Sequence, residues 1–266
     1  MARTLITGGT VVSATGAVTH DVLVEGETVV ALLSPGTAEA TGLTAGTTID
    51  AAGCYVVPGG IDAHTHMELP FGGTFASDTF ETGTVAAAHG GTTTIIDFAV
   101  QTAGGDVRQS LDTWYAKAEG NCAVDYAFHM IIGGVDDSSL KLMGDLVAEG
   151  ITSFKLFMAY PGVFYSDDGQ ILRAMQRAAE LGALVSMHAE NGIAIDVLAE
   201  QAAARGETAP IHHGITRPAR LEGEATFRAI QLALVAGAPV YFVHLSSSEA
   251  LEQVSRARAE GHNVFA

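Results

Sequence analysis

The stretch Ile151-Thr152-Ser153-Phe154-Lys155-Leu156-Phe157-Met158-Ala159-Tyr160 decides how the rest of the chain is read. It has the length and apolar continuity of a strand buried on both faces, yet a lysine stands in its middle. Buried lysines are rare unless they are paired or used chemically. The other two lysines, Lys117 and Lys141, fall in segments that read as helical and solvated. A lysine snorkelling to the surface is a poor account of Lys155, given Phe154, Leu156 and Phe157 around it.

Outward from this strand the chain alternates. Strands are predicted at 55–63, 93–99, 126–132, 153–159, 184–188 and 240–245, and helices at 80–88, 107–118, 138–149, 170–181, 193–204 and 221–236. Glycines follow several helices, as C-caps do: Gly90-Gly91, Gly120, Gly150, Gly182 and Gly237. Strands alternating with helices imply a mainly parallel sheet. No G-x-G-x-x-G follows the first strand, so a dinucleotide-binding fold lacks its usual mark. Polar residues end the strands instead: His64 and His66, Asp97, Tyr160, His188 and His244. Chemistry gathered at many strand C-termini is the pattern of a (β/α)8 TIM-like barrel. The segment 262–266 reads as the start of a seventh strand. The expectation is therefore an α/β barrel truncated in or before strand 7, belonging to a longer protein.

Before Cys54 the texture differs. Short strands at 4–10, 21–24 and 28–33, separated by Gly8-Gly9 and Glu25-Gly26, suggest part of a small β-sandwich, and nothing there reads as a helix. The predicted division is 1–53 for this N-terminal part and 54–266 for the barrel.

The 266 residues are 48% hydrophobic, ample for a core, and no apolar run reaches the ~20 residues of a membrane span. The N-terminus lacks the features of a signal peptide, so a cytoplasmic location is expected. Cys54 and Cys122 form neither a disulfide framework nor a C-x-x-C site. A net charge of −17 opposes binding to nucleic acid or to an anionic membrane.

Residues two apart in a strand face the same side, so His64 and His66 can bind one ion through neutral imidazoles. His188 and His244 each end a strand of their own. A buried neutral amine such as Lys155 can form a Schiff base. It can also take up carbon dioxide to give a carbamate, an anionic ligand able to bridge two metals. The Schiff-base reading leaves four strand-end histidines without a role, whereas the carbamate reading uses all five residues.

These stretches resemble the cyclic amidohydrolases, specifically the dihydropyrimidinase/D-hydantoinase family. The resemblance rests on Pro58-Gly59-Gly60-Ile61-Asp62-Ala63-His64-Thr65-His66, on Glu68-Leu69-Pro70-Phe71-Gly72-Gly73-Thr74, and on Ser153 to Tyr160. It extends to His188-Ala189-Glu190-Asn191-Gly192 and Val243-His244-Leu245-Ser246-Ser247. It implies two zinc ions per subunit and no organic cofactor. His64 and His66 would hold one ion, His188 and His244 the other, and carbamylated Lys155 would bridge them. A last family ligand, an aspartate after the eighth strand, has no counterpart before Ala266, so the 266 residues alone are expected to be inactive.

The implied reaction is attack by a bridging hydroxide on the amide of a small cyclic substrate, a 5,6-dihydropyrimidine or a hydantoin, giving an N-carbamoyl amino acid. Tyr160 would donate to the developing oxyanion. Leu69, Phe71, Phe157 and Phe164 would line the substrate pocket with Tyr160, and Asp97 and Glu190 would support the imidazoles from behind. His129 reads as a structural hydrogen-bonding residue, and His89, His212 and His213 as surface or loop residues. The full-length form would be a homotetramer.

Two departures separate neighbouring families. Dihydroorotases carry an arginine two residues after the H-x-H pair, where this chain has Glu68. Allantoinases show a Glu-Pro-Gly-Arg-like stretch where this chain has Leu69-Pro70-Phe71-Gly72-Gly73. An allantoinase-like or other cyclic-ureide amidohydrolase is the alternative, together with a non-catalytic remnant or scaffold of the same family.

Overall fold

The computed structural model describes residues 2–102 and 104–266. The chain divides into two compact units, Met1–Gly60 and Ile61–Ala266.

The first unit holds β1 (Arg3–Thr7), β2 (Thr10–Ser13), β3 (Gly16–Thr19), β4 (Asp21–Glu25), β5 (Thr28–Leu33), a one-turn helix α1 (Thr37–Thr41), β6 (Thr47–Asp50) and β7 (Tyr55–Val56). They form a four-stranded sheet ordered β5-β4-β1-β6 and a three-stranded sheet ordered β3-β2-β7. Leu5, Leu23 and Ala38 make its small core. The strand expected at 4–10 is two strands, because Gly8 takes φ 74 and breaks the run between them. Helix α1, absent from the sequence expectation, is flanked by two left-handed glycines, Gly36 and Gly42.

The run expected as one strand at 55–63 is likewise two. Tyr55 and Val56 pair with β2, whereas β8 (Gly60–Thr65) joins the large sheet. That pairing carries the division between units to Gly60, beyond the expected Gly53.

The second unit continues with a hairpin, β9 (Pro70–Phe71) and β10 (Thr74–Phe75), then α2 (Phe80–His89), β11 (Thr92–Val100), α3 (Val107–Ala118) and β12 (Asp125–Ile131). There follow α4 (Asp137–Ala148), β13 (Ser153–Phe157), α5 (Asp168–Leu181), β14 (Leu184–His188), α6 (Gly192–Ala204), α7 (Ile211–Ile215) and α8 (Ala219–Ala236). The last elements are β15 (Val240–Phe242), α9 (Ser248–Ala259) and β16 (Val264–Phe265).

The large sheet runs β16-β15-β14-β13-β12-β11-β8, with β11 through β16 paired in parallel. Its spatial order follows the sequence without reversal. A doubly wound sheet reverses at a switch point, whereas a (β/α)8 barrel adds each strand beside the previous one. The sheet is seven strands of such a barrel. β13 and β14 are buried from their second residue on, whereas β12 exposes Asp125 and Ala127, β15 exposes Tyr241, and Gly60–Ala63 of β8 and Phe265 of β16, at the two edges, stay exposed.

Helix starts follow side-chain capping: the side chains of Thr79, Asp136 and Asp167 each accept a backbone N–H of the first turn, and their own backbone N–H donates back to the side chain of Thr82, Ser139 or Gln170. Helices α7 and α9 were not expected, and α7 places His212 and His213 on helical backbone. Among the described residues no helix is long and apolar enough to cross a membrane.

Candidate active site

The C-terminal ends of β8, β13, β14 and β15 meet at one place. Lys155 is the third residue of β13 and only 1% exposed. Its Nζ lies 3.4 Å from His64 Nε2 and above the rings of Phe98 and Phe157, at 4.4 and 4.9 Å. No carboxylate pairs with it among the described residues. Around it the imidazoles form a chain by ring centroids: His66 to His64 at 5.1 Å, His64 to His244 at 5.6 Å, and His244 to His188 at 4.5 Å.

His64 is the fifth residue of β8, and His66 follows one residue past its end. His188 is the last residue of β14. His244 differs from its expectation as a strand end. β15 stops at Phe242, and His244 follows in the left-handed region with φ 41. Only Glu68 (φ 53) and Tyr160 (φ 60) share that conformation among the described non-glycine residues. All three flank the histidine cluster, and strain of this kind persists where the surroundings fix it, commonly at functional sites.

Electrostatics favour the neutral form of His64, His66 and His244. Burial first, then the Lys155 charge, lowers His64 to about 3. The same two causes hold His66 at about 4. His244 has an exposed edge, yet desolvation and the neighbouring His188 and Lys155 bring it to about 4. Burial alone lowers the Lys155 amine to about 8, so a fraction is uncharged and nucleophilic near neutrality.

Among the described residues no three His, Cys, Asp or Glu side chains form a ready-made metal-binding group. What converges is a set of four imidazoles around an amine. His66 Nδ1 is buried without a hydrogen-bond partner. A buried ring nitrogen left unpaired is costly, and ligation of a soft or borderline cation is one way to satisfy it. Four imidazoles around an amine are a donor set that could hold a borderline divalent cation.

The neighbours of the histidines are only partly those expected. Glu190 Oε2 lies 2.7 Å from His188 Nε2. Asp97, expected behind an imidazole, touches none. It is completely buried and accepts from Thr65 Oγ1 and Met67 N at 2.8 Å and from Trp114 Nε1 at 3.2 Å. Its burial raises it to about 6 against those hydrogen bonds. His129 bonds Ser153 Oγ and, at 3.0 Å, the carbonyl of Ala63.

Beside Lys155 opens a cavity of about 180 Å³ lined by Leu69, Phe71, Phe157, Tyr160 and Phe164 with His66, His188 and His244. Phe71 stacks parallel to Phe164 and meets Tyr160 edge-on. Tyr160 is positioned from behind by α6, whose first residue approaches closely. A Cβ on Gly192 would lie 2.7 Å from Ala159 Cα, so only glycine fits there. On the far side of His188 and His244 a second, polar cavity contains Glu190, Arg217, Glu222 and His213. Arg217 stands 3.8 Å from Glu190 and was not anticipated from sequence; its only local signal is the Arg-Pro ending of a loop.

The sequence profile of the amidohydrolase family matches residues 55–260. A D-hydantoinase of Streptomyces coelicolor is 65% identical over 263 residues, covering 99% of this chain and 56% of its own length. One from Geobacillus stearothermophilus is 48% identical, covering 98% and 55%. The crystal structure of dihydropyrimidinase from Brevibacillus agri NCHU1002 superposes with a TM-score of 0.93 at 47% identity, covering 99% of this chain and 56% of that one. The chain thus spans about half the length of the curated relatives it matches.

Proposed function

The chain belongs to the amidohydrolase family, and from the site we propose that the whole protein opens the ring amide of hydantoins or 5,6-dihydropyrimidines at a pair of zinc ions. The observation that carries this reading is Lys155, 1% exposed, with no carboxylate partner among the described residues and its Nζ 3.4 Å from His64 Nε2. His64 and His66 would hold one ion and His188 and His244 the other, with the carbamate of Lys155 between them. Zinc held there would supply a water whose pKa is lowered to about 7 and a Lewis acid for the carbonyl.

The chain's own residues do the rest. Low imidazole pKa values keep protons from competing with metal for His64, His66 and His244. Leu69, Phe71, Phe157 and Phe164 exclude water and receive an apolar ring substituent. Burial raises the Tyr160 phenol, so it stays protonated and can donate to the oxyanion. Water adds across the ring C–N bond: its oxygen goes to the carbonyl carbon as the C–N bond breaks, one proton goes to the leaving nitrogen, and the other is released to solvent as the product acid ionises. The product is an N-carbamoyl amino acid. The similarity to proteins named D-hydantoinase and dihydropyrimidinase supports this substrate class.

No organic cofactor enters this scheme, and a cytoplasmic homotetramer belongs to the same reading, to be tested by sizing. The decisive experiment is metal analysis of the full-length protein together with ¹³C NMR after growth on labelled bicarbonate. About two zinc ions per chain, a carbamate resonance lost in Lys155→Met, and ring opening of hydantoin or dihydrouracil are expected. A metal-free protein that opens neither ring sinks the proposal.

A further inference from the structure

The single tryptophan and the half-buried Lys117 have no part in the chemistry above. Trp114 and Lys117 lie three residues apart on α3 and so share one helix face. Lys117 was expected to be solvated, but its side chain is only 26% exposed, with Nζ 4.4 Å from the Trp114 ring centroid. Nζ also donates to the backbone carbonyl of Glu68 at 3.5 Å and lies 3.8 Å from Glu68 Oε2. Trp114 donates to one oxygen of Asp97, and the other oxygen accepts from Thr65 and Met67, the two residues flanking His66. One face of α3 therefore reaches the turn leaving the H-x-H pair by two routes: through Asp97 on either side of His66, and directly at the left-handed Glu68.

We infer that Trp114 and Lys117 are positioning residues that, with Asp97, brace the turn 65–68 so that His64 and His66 face Lys155 before metal arrives. The purpose of the brace rests on the metal reading above, whereas its existence does not. A ligand pair on a strand end needs its backbone fixed from outside, since loosely supported ligands lose metal affinity. Removing the indole N–H leaves a buried carboxylate oxygen short of a donor. Removing the ammonium frees a backbone conformation that only its surroundings hold.

The test is amide hydrogen exchange of the metal-free full-length protein as wild type, Trp114→Phe, Lys117→Met and Lys117→Arg. Peptides covering 64–72 should exchange about tenfold faster in Trp114→Phe and Lys117→Met, the size expected for one lost hydrogen bond. Lys117→Arg should stay near wild type, and peptides covering 184–190 should not change in any variant. After zinc loading and challenge with dipicolinate, one of two ions should leave about tenfold faster in the same two variants. Unchanged exchange at 64–72, or an equal rise in both regions, overturns the brace. Should Trp114→Phe fail to fold, Lys117→Met decides alone. A wild type that binds no zinc but shows the exchange difference keeps the brace and removes the metal reading.

Discussion

The two halves of the candidate site are built differently. His64 lies in β8 and His66 one residue past its end, with Asp97 accepting from the Thr65 hydroxyl and the Met67 backbone N–H on either side of His66. His188 and His244 come from separate strands, and His244 stands beyond the end of β15 in a left-handed conformation. One half is ordered by secondary structure and a buried carboxylate beneath the backbone. The other is ordered by side-chain partners, Glu190 on His188 and the aromatic ring of Tyr160 beside it. Ligands can thus be aimed through the backbone they hang from, or through the atoms they touch.

Lys155 belongs to both halves, so its loss should erase the distinction. Lys155→Met in the full-length protein is expected to lower kcat/KM by more than about 10³-fold, beyond the loss of a single oxyanion donor. Zinc analysis should show both ions depleted. A variant retaining one tight ion would mean that Lys155 serves only one side.

Tyr160 belongs to the His188 half. Tyr160→Phe should reduce kcat by about 10²–10³-fold with little change in KM, because the missing hydroxyl acts in the transition state. Steady-state kinetics on hydantoin checks it, and an effect confined to KM would make Tyr160 a pocket wall instead.

On the His64 half the backbone support itself titrates. Asp97 has a folded pKa of about 6 against an ordinary 3.8. Between those values the native state holds a proton that the unfolded chain has released, so stability falls as pH rises through the window. Relative to Asp97→Asn, wild type should lose up to about 3 kcal/mol between pH 4 and pH 7 in urea titrations. A difference that is flat or rises with pH contradicts a desolvated carboxylate there.

The smallest effect is expected at Glu190. Glu190→Gln should weaken zinc about 10–100-fold at one of the two positions, the His188 side, and leave the other unchanged. Equal weakening of both, seen by chelator competition, would mean that the two halves are not independently supported.

This contrast also explains what could be read from the sequence. The alternation of strands and helices was legible because its periods are local. The H-x-H pair was legible because strand geometry fixes residues two apart on one side. Lys155 was legible because a lysine amid Phe154, Leu156 and Phe157 contradicts its surroundings. The strand expected at 240–245 was cut short because β15 pairs only as far as Phe242, a property of its neighbours. The partners of Asp97 lie some thirty residues upstream and seventeen downstream, so sequence placed it near the histidines without showing that it holds backbone. Lys117 looked solvated because Glu68 and the Trp114 ring meet it only in three dimensions.

The unbroken strand order has a consequence for synthesis. Each parallel strand pairs with the one made shortly before it, so the chain can add one strand and its helix at a time as it leaves the ribosome. Lys155 is translated 89 residues before His244, from 244 − 155, and His64 and His66 earlier still. At about 5–20 residues per second that is an interval of roughly 5–18 s. His64 and His66 can gather around Lys155 while His244 has yet to be made.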